Sequence, residues 1–150
     1  MDLNPYITFA RDQLHVTFKD IQLLVTAFTH RSYLNEHRKS ASEHNERLEF
    51  LGDAVLELVV TEYLYLNHGE PEGILTNWRS SLVRTESIGA AAERCGFADL
   101  LRLSRGEKQG SERARAQILA NSFEAVIGAL YLDQGWEAAK TFITDRKSVV

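Results

Sequence analysis

Apolar residues recur at spacings of three and four along most of this chain, and no stretch alternates convincingly at two, so the pattern predicts helices throughout. Asp20 stands as an N-cap before Ile21-Gln22-Leu23-Leu24-Val25, a helix expected to stop near Phe28-Thr29-His30. A polar stretch from Asn35 to His44 then separates it from a long helical segment, Asn45 to Asn67. Pro71 and Gly73 interrupt the pattern, which resumes through Leu82 and Val83. Thr85 is placed to cap an alanine-rich helix, and Gly96 falls where a C-terminal glycine stop belongs. Leu103 to Gly110 reads as a polar loop, Ser111 with Glu112 starts a last long helix running to about Leu132, and Gly135 breaks it before a short closing helix. The fold class is therefore all-α, a single multi-helix domain.

At 150 residues, without internal repeat, low-complexity tract or linker, the chain is one domain by size. A lone cysteine, Cys95, excludes a disulfide-stapled extracellular scaffold and points to a reducing cytoplasm. The apolar and glycine run Val126 to Leu132 is far below the roughly 18 residues of a membrane span. The amino terminus, Met1-Asp2-Leu3-Asn4-Pro5, lacks the basic and apolar segments of a secretory signal. The last six residues, Asp145 to Val150, read either as a non-native tail, like the translated end of a sequencing adapter, or as an ordinary polar one. The domain then spans residues 1–144.

A net charge of −4 argues against phosphate binding, but the average conceals a division. From Glu43 to Leu75 there are eight acids against one base, Arg47; from Arg79 to Arg115 there are eight bases against five acids. Arg31, Arg38 and Lys39 add a second basic cluster upstream. An acidic strip between basic segments suits divalent cations flanked by phosphates.

On a helical wheel Glu46, Glu49 and Asp53 fall within roughly 60° of one another. Leu48, Leu51, Val55, Leu58 and Val59 cluster on the opposite side. Most such acidic faces simply meet solvent. Here Gly52 sits mid-helix despite a cost of about 1 kcal/mol relative to alanine, and Arg47 is the only nearby base. Like charges this close repel unless something positive lies between them. A second helix offers Asn121, Glu124 and Gly128 on one side, with Leu119, Phe123, Val126 and Leu130 on the other. Two glycines, Gly52 and Gly128, would let the helices approach closely, so their oxygen ligands could converge on a hard cation such as Mg²⁺. Five scattered histidines and one cysteine give no soft-metal motif. Cys95, Trp78 and Trp136 read as packing residues, and Ser104-Arg105-Gly106 lacks the surroundings of a nucleophile elbow or phosphate loop.

Asn45-Glu46-Arg47-Leu48-Glu49-Phe50-Leu51-Gly52-Asp53 resembles the nine-residue signature of the ribonuclease III endonuclease domain. The resemblance extends to Thr29-His30-Arg31-Ser32-Tyr33, Glu72-Gly73, Arg79-Ser80-Ser81-Leu82-Val83 and the stretch Leu119 to Ala129, covering roughly Tyr6 to Thr144. It implies a metal-dependent endoribonuclease that cleaves double-stranded RNA, acting as a homodimer in RNA processing and leaving 5′-phosphate and 3′-hydroxyl ends. It implies Mg²⁺ as cofactor, with Mn²⁺ as a substitute. By position, Glu49, Asp53 and Glu124 would be catalytic, the metal shell would be Glu49, Asp53, Asn121 and Glu124, and Glu46 and Glu72 would be further acidic positions. Asn121 departs from the aspartate of the better-known bacterial members, which removes one charge from that shell. Arg31, Arg79, Arg84, Arg105 and Lys108 are candidate phosphate contacts, since A-form RNA is recognised mainly through its backbone. Phe50 and Ala54 lie off both stripes of their helix and are candidate dimer contacts. No double-stranded-RNA-binding domain is legible within the chain. The competing reading is an RNA-binding or structural module of the same family that has lost catalysis.

Overall fold

The computed structural model describes residues 1–39 and 43–145. In order these are α1 (Asn4–Phe9), a π-helical turn (Ala10–Leu14), α2 (Ile21–Ala27), α3 (Arg31–Glu36), α4 (Glu46–Asn67), α5 (Glu72–Val83), α6 (Thr85–Arg94), a 3₁₀ turn (Phe97–Leu100), α7 (Arg105–Lys108), α8 (Glu112–Gln134) and α9 (Trp136–Thr144). Among the described residues there is no strand, only one isolated parallel bridge between Thr29 and Arg102, so the all-α expectation holds. The proposed tail lies, beyond Asp145, outside the described residues.

Several local signals act as their chemistry dictates. Asp20 accepts a hydrogen bond from the Gln22 amide and caps α2, and Ser111 caps α8 through the Ala114 amide. Gly96 (φ 79°) follows α6 and Gly135 (φ 96°) parts α8 from α9, both in backbone space that glycine enters cheaply.

Others are corrected. Thr85 is the first residue of α6, not its cap, because Arg84 in extended conformation precedes it without a side-chain hydrogen bond. Gly73 lies inside the first turn of α5, and only Pro71, with its missing donor and fixed φ, marks the boundary. The turn α7 arises within Leu103 to Gly110, expected to be a loop, while α1 and most of α3 form where no element was expected, α3 running into the polar stretch at Asn35 and Glu36. Imidazole Nδ1 of His30 caps α3 by accepting from the Ser32 amide, and Ser104 caps α7 by accepting from the Glu107 amide.

Helix α8 lies at the centre of the molecule and packs against α2, α4, α6 and α9. From Ile118 to Leu130 only Asn121 and Glu124 escape full burial, so the expected polar side is kept as a narrow strip, while Gly128 on the same side is closed off by α4. Aromatic rings tie the amino-terminal elements to it: Phe9, Phe28, Phe97 and Phe123 form a chain with centroids 5.0–5.6 Å apart. Such pairs contribute about 0.5–1.5 kcal/mol each beyond their buried area. Among the described residues no helix is long and apolar enough to cross a membrane.

Candidate active site

Helices α4 and α8 meet backbone to backbone. A methyl group added to Gly52 would overlap the carbonyl oxygen of Glu124, and one added to Gly128 would overlap the carbonyl oxygen of Leu48. The mid-helix glycine therefore offsets its propensity cost by admitting a contact that any side chain would block.

This crossing gathers the carboxylates. Glu124 projects from α8 beside Asp53 of α4, and their carboxyl groups share a hydrogen bond. Two carboxyls can do so only if one keeps a proton. The pKa of Glu124 is accordingly pushed up to about 9, by burial first, then by that hydrogen bond and by the charges of Asp53 and Glu49. Glu49 is also raised, chiefly by burial and secondarily by Glu46 and Asp53. Three acids within electrostatic reach, with the most buried one forced to hold a proton, constitute a charge excess that a cation would relieve.

Among the described residues no group of three or more His, Cys, Asp or Glu side chains is drawn together tightly enough to hold a metal ion. The donor chemistry nevertheless fits a hard divalent ion. Mg²⁺ commonly takes one or two carboxylates and keeps several waters, and Asp53 with Glu124 supplies that pair while Glu49 borders it.

The remaining candidates are distributed unevenly. Asn121, three residues before Glu124, has its amide oxygen engaged by Nε2 of Gln117 at 2.8 Å. Glu46 pairs with Arg31 at 3.2 Å. Glu72 opens α5 and lines a cavity of about 590 Å³ with His68, Glu70 and Arg79; none of Glu49, Asp53 or Glu124 is in its wall. Arg79 is tied down between helices, donating to the Thr61 hydroxyl at 3.1 Å and facing Glu57 at 3.7 Å. Arg84 and Arg105 are largely exposed, each beside one acid, Glu86 at 3.9 Å and Glu36 at 3.6 Å respectively. Lys108 is exposed.

Phe50 and Ala54 face solvent, Phe50 with 83% of its surface uncovered. Leu58, expected on the core side of α4, joins them at 57% exposure. At i+4 from Ala54 and i+8 from Phe50 it extends their stripe, which corrects its earlier placement. Cys95 is a buried helix-end residue. Trp136 packs partly buried against the core, whereas Trp78 remains 38% exposed, its ring edge-on to His68 at 5.1 Å.

A family model described as Ribonuclease-III-like matches residues 20–148. The chain belongs to this family. It is 50% identical over 143 residues to Ribonuclease 3 of Enterococcus faecalis, covering 95% of this chain and 62% of that protein. It is 50% identical over 133 residues to Ribonuclease 3 of Streptococcus gordonii, covering 88% and 57% respectively. The ribonuclease III-like chain thus spans about three-fifths of the length of these curated relatives. Among solved structures it resembles the nuclease domain of ribonuclease III from Campylobacter jejuni, with TM-score 0.80 and 39% identity over 91% of this chain and 92% of that one. That structure is described in terms of flexibility in the region involved in dimer formation.

Sequence reasoning missed one feature beside the site. The end of α2 is a hydrogen-bonding hub: Arg102 donates its amide to Phe28 and its guanidinium to Thr29, and the His30 amide donates back to Arg102. The guanidinium also lies 4.1 Å over the Tyr33 ring. Nothing in local periodicity links residues some 70 positions apart.

Proposed function

We propose that this chain is the nuclease domain of a metal-dependent endoribonuclease that cleaves double-stranded RNA, giving 5′-phosphate and 3′-hydroxyl ends, and that it works in cytoplasmic RNA processing. The observation that carries the reading is the Asp53–Glu124 carboxyl pair, with Glu49 at its edge, at a crossing that Gly52 and Gly128 keep free of side chains. A structural helix pair gains nothing from like charges brought together in partial burial.

In this reading Glu49, Asp53 and Glu124, with the amide oxygen of Asn121 that Gln117 now engages, would hold the divalent ion, Mg²⁺ or Mn²⁺. When bound, the ion supplies charge stabilisation at the phosphodiester oxygens and a lowered pKa for the attacking water. Glu124 would have to give up its proton for an ion to bind, so binding would release protons at neutral pH. Glu46 and Glu72 extend the acidic surface. Arg84, Arg105 and Lys108 are exposed enough to reach phosphates, and Arg31 does so by exchanging Glu46 for RNA. Arg79 acts first as a strut between α4 and α5.

The stripe of Phe50, Ala54 and Leu58 receives a second copy of the chain, forming a homodimer. A large uncovered aromatic continuous with other apolar side chains favours burial in an interface.

The decisive experiment incubates purified protein with end-labelled duplex RNA in Mg²⁺, in Mn²⁺ and in chelator. Discrete cutting with either ion and none in chelator supports the proposal. Duplex binding without cutting in any ion would make the chain an RNA-binding module of its family instead.

A further inference from the structure

Buried polar side chains are few in this molecule. Among the described residues they are Thr29, Asn45 and Ser122, and all three belong to one knot at the carboxyl end of α2. A helix leaves its last carbonyls without partners inside the helix, and here each finds one. The Thr29 hydroxyl and the Phe28 amide donate to Val25, the Thr29 amide to Thr26, and the Arg102 amide to Phe28.

The Ala27 carbonyl is treated differently. It accepts from Asn45 Nδ2 at 3.1 Å and from Ser122 Oγ at 3.1 Å, using both lone pairs. The Asn45 amide also donates to the Thr29 carbonyl at 3.0 Å. One carbonyl of α2 thereby grips the residue that opens α4 and a mid-helix residue of α8. Asn45 lies one turn before Glu49; Ser122 stands between Asn121 and Glu124.

We propose that Asn45 and Ser122 are positioning residues. Through the Ala27 carbonyl they fix how α4 and α8 are turned relative to each other, and so set the spacing of Glu49, Asp53 and Glu124. The glycine crossing alone brings the backbones together but leaves rotation about the contact open, whereas a second anchor beyond the crossing on α4 removes that freedom. This inference rests on the metal-site reading above for its effect on ion binding, but its geometric part stands on the knot alone.

The test uses the whole chain. Ser122→Ala and Asn45→Ala each remove one donor, Ser122→Thr keeps the hydroxyl, and Tyr6→Phe removes a comparable hydroxyl-to-carbonyl bond elsewhere, that to Leu100 at 2.9 Å. Two readouts are taken in each: Mn²⁺ half-saturation by titration without RNA, and the backbone amide resonances of Glu49, Asp53 and Glu124 in chelator. Both alanine variants should raise the half-saturation concentration on the order of 5-fold, the weight of one hydrogen bond, and should shift the Asp53 and Glu49 resonances across the helix pair. Ser122→Thr should restore both, and Tyr6→Phe should change neither despite a similar loss of thermal stability. Equal effects from Tyr6→Phe, or alanine variants that lower the melting temperature while half-saturation and the Asp53 resonance stay put, would overturn the inference. A parent that binds no Mn²⁺ defeats the metal reading, and the resonances then decide the positioning role by themselves.

Discussion

Helix α4 has two faces that behave in opposite ways. One presses Gly52, Val55 and Val59 into α8 with no room for a single added methyl group. The other carries Phe50, Ala54 and Leu58 into solvent. The carboxylates lie along the seam between them. Close packing fixes the geometry of a site, and an open apolar face leaves room for something else to cover it; one helix does both because its side chains fan out at about 100° per residue.

The hardest test of the closed face is Gly52→Ala. The new methyl group has nowhere to go but into the Glu124 carbonyl, which is backbone and cannot rotate away. We expect a loss exceeding about 4 kcal/mol, in the range reserved for severe overpacking, read as a collapsed melting transition together with abolished cleavage. A variant that melts within a few degrees of the parent would show that the crossing is looser than described.

Next is Glu124→Gln, which leaves the crossing intact and alters only its charge. Cleavage should fall by roughly 100-fold or more, corresponding to about 3 kcal/mol of lost charge stabilisation, while duplex binding persists. Stability should move the other way. The folded-state pKa of Glu124, about 9, lies above its ordinary 4.5. Its stabilising contribution is therefore fully present below about pH 4.5 and is lost as pH rises toward 9. In chelator at pH 8 the glutamine variant should melt higher by about 5 °C, reflecting about 1–2 kcal/mol once partial solvent exposure is discounted, and its stability should vary less with pH across that window. Parental cutting with Mg²⁺ would remove Glu124 from the site.

The open face predicts the reverse pattern for Phe50→Asp. An exposed residue contributes little to the single chain, so the monomer's own stability should change by no more than about 0.5 kcal/mol. Light scattering at tens of micromolar should then show the variant at half the parental mass. A parent already monomeric at that concentration ends the dimer proposal.

The smallest expected effect belongs to Asn121→Asp. Adding a charge three residues before Glu124 on the same helix, without changing side-chain size, should lower the Mg²⁺ concentration for half-maximal cleavage by a factor of about 3–10, if position 121 contributes to the shell. Gln117 already occupies the Asn121 oxygen, so a half-saturation point that stays put or rises would assign Asn121 to that hydrogen bond instead of the ion.

Much of this was legible along the chain. The period of the apolar residues gave the fold class and most of the helices, though not α1, α3 or α7, Asp20 and Ser111 announced where two of them begin, and Gly52 and Gly128 beside acidic residues marked the two helices that meet. These are local signals, carried by neighbours within one or two turns, and physics acts on them before any tertiary contact forms. The nine residues from Asn45 to Asp53 went further and pointed to the family.

What the sequence could not yield depends on which distant groups end up adjacent. Leu58 looked like a core residue because composition cannot say which flank of an apolar arc another helix will cover. Asn45 was legible only as the start of a helical segment, and nothing local to Asn45 or Ser122 tells that both are spent on the carbonyl of Ala27, 18 and 95 positions away. The proton held by Glu124 has the same origin: an isolated helix would leave that carboxyl ionised in water, and only burial against Asp53, from a helix some 70 residues earlier, makes the charge costly enough to be neutralised.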